Sequence, residues 1–168
     1  MRRRVPTVIA SALVVVLTAC GQAGRTEEDG SIAEGERISP HADHPAIRRM
    51  DPVLLAAVRR AAADAKQAGI EVGITSGWRS KEYQQLLLDQ AVSHYGSLRE
   101  ARRFVSTPET SAHVSGKAVD IGPTDAADWM GRHGAAYGLC QVYSNEMWHF
   151  ELLTTPGGQC PEQRGDAA

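Results

Sequence analysis

Aromatic side chains are scarce in this sequence: three tryptophans, four tyrosines and two phenylalanines make up 5% of the chain. With so few, each is expected at a defining position. A basic excess is also missing. The formal net charge of −2 argues against a nucleic-acid-binding domain, which would show a basic face. The one extended apolar stretch, Val8 to Leu17, is too short for a membrane-spanning helix. No internal repeat is present. What remains is a chain of 168 residues, 42% of them hydrophobic, enough for one compact domain with an ordinary core plus an export segment.

The first 20 residues run from three arginines through that apolar stretch to small residues and Cys20. This is the charged, apolar and small-residue order of an export signal, assigned to residues 1–19. Leu17-Thr18-Ala19-Cys20 resembles a bacterial lipobox, which implies lipidation of Cys20 and a membrane anchor. The alternative is an ordinary cleaved signal followed by an unrelated cysteine. Both place the mature protein outside the cytoplasm. Residues 20–45 are rich in Gly, Glu, Arg, Ser and Asp without apolar periodicity, so they are expected to form a flexible tether. The folded domain is assigned to 46–160 and a C-terminal tail to 161–168.

Within the domain, Asp51-Pro52 is a helix start, with Asp as N-cap and Pro at the first helical position. Leu54, Val58, Ala61, Ala62 and Ala65 recur at helical spacing, and Gly69 ends the helix. Ile70 to Thr75 alternates as a half-buried strand does. Ser80 is expected to cap a helix over about 81–94. Ser97 and Glu100 form a capping box for another helix reaching about Val105. A loop over 106–116 leads to a strand from Lys117 to Ile121, and Thr124 is expected to cap a helix to about Tyr137. Leu139–Tyr143 and Met147–Leu153 read as an antiparallel hairpin turning at Ser144-Asn145. Helices that precede and interrupt a small, mostly antiparallel sheet define an α+β fold.

Chemistry concentrates in two stretches. Ser111 to Gly122 carries His113, the turn residue Gly116 and Asp120; Glu146-Met147-Trp148-His149 answers it. Asp120 lies in a strand between Val119 and Ile121, where a carboxylate is costly unless paired or metal-bound. Strand alternation predicts that Trp148 and Phe150 share the face opposite His149, which then points into a cleft. Two imidazoles, one carboxylate ligand and one carboxylate to spare are the inventory of a catalytic zinc site. Each residue also has a plain alternative: a salt bridge to an arginine for Asp120, a solvated loop position for His113, and packing between aromatics for His149. His41, His44, His94 and His133 lack such neighbours and read as surface or helix residues.

The pattern S-x-H-x-x-G-x-A-x-D over 111–120, followed by E-x-W-H over 146–149, resembles the VanY-type D-alanyl-D-alanine carboxypeptidases, whose fold is shared with the metal-binding Hedgehog domains. The likeness runs from about Asp51 to Leu153. It includes Ser76-Gly77-Trp78-Arg79-Ser80 with Gln84, similar to the family's S-G-Y-R-S…Q with Trp in place of Tyr, and Pro108 ahead of the serine–histidine pair. The resemblance implies one zinc ion (Zn2+) held by His113, Asp120 and His149, with Glu146 as catalytic base. It further implies that Arg79 binds substrate or the developing oxyanion, and that Gln84 and Ser111 line the cleft. Implied substrates are peptidoglycan stem peptides, acted on by a monomer. Alternatives are an L,D-carboxypeptidase or peptidoglycan endopeptidase of the same fold, a non-catalytic metal-stabilised cell-wall-binding module, and a lipid-anchored structural protein without metal.

Cys140 and Cys160 form an even pair in an exported chain, which reads as a disulfide. Free thiols, or a further pair of zinc ligands, are the alternatives. A bridge closing a loop of this length contributes about 3 kcal/mol.

Overall fold

A computed structural model describes residues 27–168. The export signal expected over 1–19 and the lipidation expected at Cys20 lie outside the described residues. Helix α1 (Pro45–Arg48) leads into α2 (Pro52–Gln67), which Asp51 caps by accepting from the Val53 and Leu54 amides. Strand β1 (Gly73–Ser76), helices α3 (Lys81–Tyr95) and α4 (Leu98–Ala101), strand β2 (Ala118–Gly122), helix α5 (Thr124–His133), and strands β3 (Leu139–Tyr143) and β4 (Glu146–Leu152) follow.

The four strands form one sheet in the order β1-β2-β4-β3, with every neighbouring pair antiparallel. Helices α2 and α5 cover one face. Leu54, Val58, Ala61 and Ala65 of α2 and Ala126, Ala127 and Met130 of α5 join Ile74, Val119, Ile121, Leu139 and Phe150 of the sheet in a single core. Val119 and Ile121 take this face by strand alternation, which turns Ala118 and Asp120 to the other. Helices α3 and α4 pack a smaller apolar cluster of Leu88, Ala91 and Ala101 beside that second face. The α+β architecture is the one expected.

The tether is not. Residues 27–45 are folded onto the domain: Ile38 bridges Ile74 in both directions at 2.8–2.9 Å, and Ile32, Ile38 and Ala42 pack against the core. Their apolar residues are too few to show periodicity, but each packs against the core. His44 caps α1 through its ring nitrogen, which accepts from the Ala46 amide at 3.1 Å. Residues 161–168 are likewise held against the domain rather than free, through contacts of Arg164, Asp166 and Ala167.

Smaller differences have local causes. Strand β1 starts at Gly73 instead of Ile70, because the Ile70 amide closes α2 by donating to the Ala65 carbonyl at 2.9 Å. Helix α4 stops at Ala101, where the chain turns so that Phe104 stacks on Tyr95 at 4.7 Å. Thr124 is the first helical residue of α5 rather than its cap, which is Pro123; that helix gives way to a 3-10 turn over Gly134–Tyr137. Cys140 and Cys160 are disulfide-bonded, with a Cα–Cα distance of 5.6 Å.

Candidate functional site

The second face of the sheet carries the chemistry, and strand register assembles it. Ser76 of β1 pairs with Asp120 of β2, and Asp120 pairs with His149 of β4. Directly opposed residues on neighbouring strands put their side chains side by side, so Ser76, Asp120 and His149 form a row across three strands. His113 enters from the loop before β2. That loop is clasped to the one after β1: the Arg79 amide donates to the His113 carbonyl at 3.2 Å, and the His113 ring bonds the Gly77 carbonyl at 2.7 Å. The turn that delivers His113 needs Gly116, whose φ of +71° is disfavoured for other residues. A Cβ there would also lie 2.6 Å from the Arg49 carbonyl oxygen.

Three ligand atoms meet as a result. His113 Nε2 lies 3.2 Å from His149 Nδ1, His149 Nδ1 lies 3.2 Å from Asp120 Oδ1, and His113 Nε2 lies 3.3 Å from Asp120 Oδ1. An ion bound tetrahedrally at about 2.0 Å has ligand–ligand edges of about 3.3 Å. The three separations match those edges, and all three residues are buried.

The outer contacts orient each donor toward that point. His113 donates Nδ1–H to the Gly77 carbonyl, which leaves Nε2 with its lone pair. His149 donates Nε2–H to Glu151 Oε1 at 3.1 Å, which frees Nδ1. Asp120 accepts from Arg79 Nη2 at 2.8 Å on Oδ2 and keeps Oδ1 for the centre. The salt bridge and the ligand role, alternatives for Asp120 in the sequence, thus use different oxygens of one carboxylate.

The electrostatics stabilise negative charge on Asp120 and positive charge on His149, but not on His113. Burial would raise the Asp120 carboxyl, but His113, His149 and Arg79 outweigh it and hold the group well below the usual carboxylate range. Burial and Arg79 together lower His113. Burial would lower His149 too, yet Asp120 and Glu151 lift it to about 9. The donor set therefore fits one divalent cation.

Glu146 completes the site through an irregularity. In an unbroken strand, residues three apart point to opposite faces. The pairing of β3 with β4 shifts between Gln141↔Phe150 and Tyr143↔Glu146. Such a bulge re-aims side chains, and here Glu146 Oε2 comes within 3.9 Å of His149 Nδ1. Its other oxygen, Oε1, is buried without a hydrogen-bond partner. Burial pushes the carboxyl up to about 7. The same irregularity corrects the placement of Trp148: Phe150 is buried in the core as expected, but Trp148 lines the cleft alongside His149.

These groups open onto a cleft of about 430 Å³. Arg79 is fixed on three sides: Nε donates to Ser76 Oγ at 2.7 Å, Nη1 to Gln84 Oε1 at 3.1 Å and Nη2 to Asp120. Gln84, fully buried, donates in turn to the Ser106 carbonyl at 2.8 Å. Ser111 lines the cleft. Arg79, Gln84, Ser111, His113, Asp120, Glu146 and His149 all line the cleft, whereas Trp78 packs against the core under Arg49. Glu151 and Tyr143 were not among the residues singled out in the sequence. Glu151 had a signal, since two residues beyond His149 on the same strand shares its face. Tyr143, whose ring lies 5.0 Å from that of His149, had none.

A small antiparallel α+β domain thus carries a buried His-Asp-His group that could hold one metal ion, with a glutamate beside it. The chain belongs to the VanY family of D-alanyl-D-alanine carboxypeptidases, whose model matches residues 47–154. A D-alanyl-D-alanine carboxypeptidase of Enterococcus faecalis is 28% identical over 147 residues, which is 73% of this chain but 50% of the relative, so the chain spans about half the length of that curated protein. Among solved structures, VanYB in complex with D-alanine-D-alanine superposes with a TM-score of 0.59 at 25% identity, over 62% of this chain and 72% of that one. A vancomycin-resistance D,D-pentapeptidase of the VanB-type cassette, in complex with Zn(II), shares the fold with a TM-score of 0.58 at 20% identity, over 75% of this chain and 88% of that one.

Proposed function

We propose that the protein is a zinc-dependent D-alanyl-D-alanine carboxypeptidase that removes the terminal residue of peptidoglycan stem peptides. The observation that carries this is the buried, partnerless oxygen of Glu146 beside three donors spaced for one ion. A purely structural metal centre has no use for that carboxylate. His113, Asp120 and His149 would hold the zinc, the ion named for a neighbour of the same fold. When bound, zinc activates water and polarises the scissile carbonyl.

The chain's own groups supply the rest. Glu146 takes the proton of the attacking water on its free oxygen and returns it to the leaving amine. Arg79, held flat by Ser76, Gln84 and Asp120, keeps further N–H groups to meet the developing oxyanion or the substrate carboxylate. Gln84 acts through Arg79, since its amide is consumed by Arg79 and Ser106. Trp148 and Ser111, both lining the cleft, flank the peptide. The proposal places the protein outside the cytoplasm, lipid-anchored through Cys20; the Cys140–Cys160 bridge suits an oxidising compartment.

Incubating purified stem peptides with the protein and weighing the products by mass spectrometry tests this directly. Loss of one alanine from pentapeptide stems, abolished by a chelator, is the expected outcome. Cleavage of an internal bond, or loss of alanine untouched by chelation, would replace the proposal.

Glu151 gives a separate prediction. Because it fixes the His149 tautomer, Glu151→Ala should weaken zinc binding by about 10–100-fold, the usual effect of removing a carboxylate behind a ligating histidine. Glu151→Gln, which still accepts through its amide oxygen, should recover much of the loss. Competition with a chromophoric chelator measures both.

A further inference from the structure

The family match ends at residue 154, but the chain beyond it reaches back to the cleft. After the Cys160 bridge to β3, Arg164 pairs with the outer edge of that strand: its amide donates to the Val142 carbonyl, and its carbonyl accepts from the Ser144 amide, both at 2.9 Å. The Arg164 guanidinium lies 4.7 Å over the Tyr143 ring and donates to the Tyr143 hydroxyl at 2.9 Å. The segment then crosses to the opposite rim. Asp166 accepts from Arg103 Nε at 2.8 Å, and the Ala167 amide donates to the Arg103 carbonyl at 3.2 Å. Asn145 donates to that same carbonyl at 3.1 Å. Ala167 itself lines the cleft, as do Phe104 and Tyr143.

The two rims are thus joined beside the cleft by a strap anchored at three points: the disulfide, the strand edge and the Arg103–Asp166 ion pair. A cleft open at both ends accepts a peptide running through it. One closed at an end requires the peptide to terminate there. We propose that the strap Arg164–Ala167 closes one end of the substrate cleft and restricts the protein to peptides that present a free terminus. The class of ligand is a peptide with an unextended carboxyl end. The inference rests on the function proposed above, and it assigns the preference for chain ends to a segment outside the family match.

The test uses the full chain, loaded with zinc, and two peptides: a stem pentapeptide ending in D-alanyl-D-alanine, and the same peptide extended by a C-terminal glycine. Asp166→Lys faces Arg103 with like charge and releases the strap, while the disulfide stays. Ala167→Trp keeps the anchors and fills the closed end. Binding is measured by calorimetry in the Glu146→Gln background, hydrolysis in the native one, and thermal melting confirms folding. The unmodified chain should favour the unextended peptide, and Asp166→Lys should reduce that preference by about tenfold, chiefly through KM. Ala167→Trp should raise KM for the unextended peptide by about tenfold with kcat little changed. An unchanged preference in Asp166→Lys, or an unchanged KM and affinity in Ala167→Trp, overturns the strap's role. Binding that discriminates as described without any hydrolysis instead refutes the carboxypeptidase proposal and leaves the strap standing.

Discussion

Replacing Glu146 with glutamine should leave zinc content unchanged and lower turnover by at least about 10²–10⁴-fold, the range for a general acid–base group. Glutamine keeps the shape and loses the base. The other candidates for the proton are already engaged: Asp120 is divided between Arg79 and the metal centre, and Glu151 accepts from His149 on the same face of the sheet. Glu146 alone among the described carboxylates lining the cleft holds a buried oxygen with no partner. Burial lifts its carboxyl to about 7, a range in which taking and returning a proton cost little near neutral pH. A neutral amide at this position is easier to bury than a carboxylate, so Glu146→Gln should melt no lower than the native chain. Near-normal hydrolysis by this variant would remove Glu146 from the chemistry; lost zinc would make it a ligand instead.

The site is more legible in the sequence than the scaffold around it. Asp120 and His149 stand out because a histidine or carboxylate inside an apolar, alternating run is expensive without a partner, and His113 stands out by its place in the S-x-H-x-x-G-x-A-x-D pattern. Strand periodicity then aligns Asp120 with its neighbour across the sheet. Glu146 is legible only by its closeness to His149. Alternation taken strictly puts it on the wrong face, and the shift of register that corrects this leaves no mark in residue type. The same shift explains why Trp148 is expected opposite His149 and lies beside it. Residues 27–45 read as a tether because Ile32, Ile38 and Ala42 pack singly against the core. Packing of that kind is set by tertiary shape and has no period. The strap is hidden for a related reason, since Arg164, Asp166 and Ala167 are ordinary tail residues until the partners at Tyr143 and Arg103 are seen.

Zinc should raise the melting temperature of the native chain, and His113→Ala should abolish both that rise and the retention of metal through purification. A ligand that binds only the folded state stabilises it by about 2.7 kcal/mol at a hundred times its dissociation constant, a shift easily read by calorimetry. Removing His113 takes away one of three donors whose spacing matches a tetrahedral ion. The remaining pair stays satisfied, because Asp120 keeps Arg79 and His149 keeps Glu151. The variant should therefore fold, and in the presence of chelator melt somewhat below the native chain, by the loss of the His113 bond to the Gly77 carbonyl. That separates a lost ligand from a lost core residue. Elemental analysis supplies the second readout. Were His113→Ala to retain one zinc per chain and the full thermal shift, the three donors would not share an ion, and the hydrolase proposal would lose its centre.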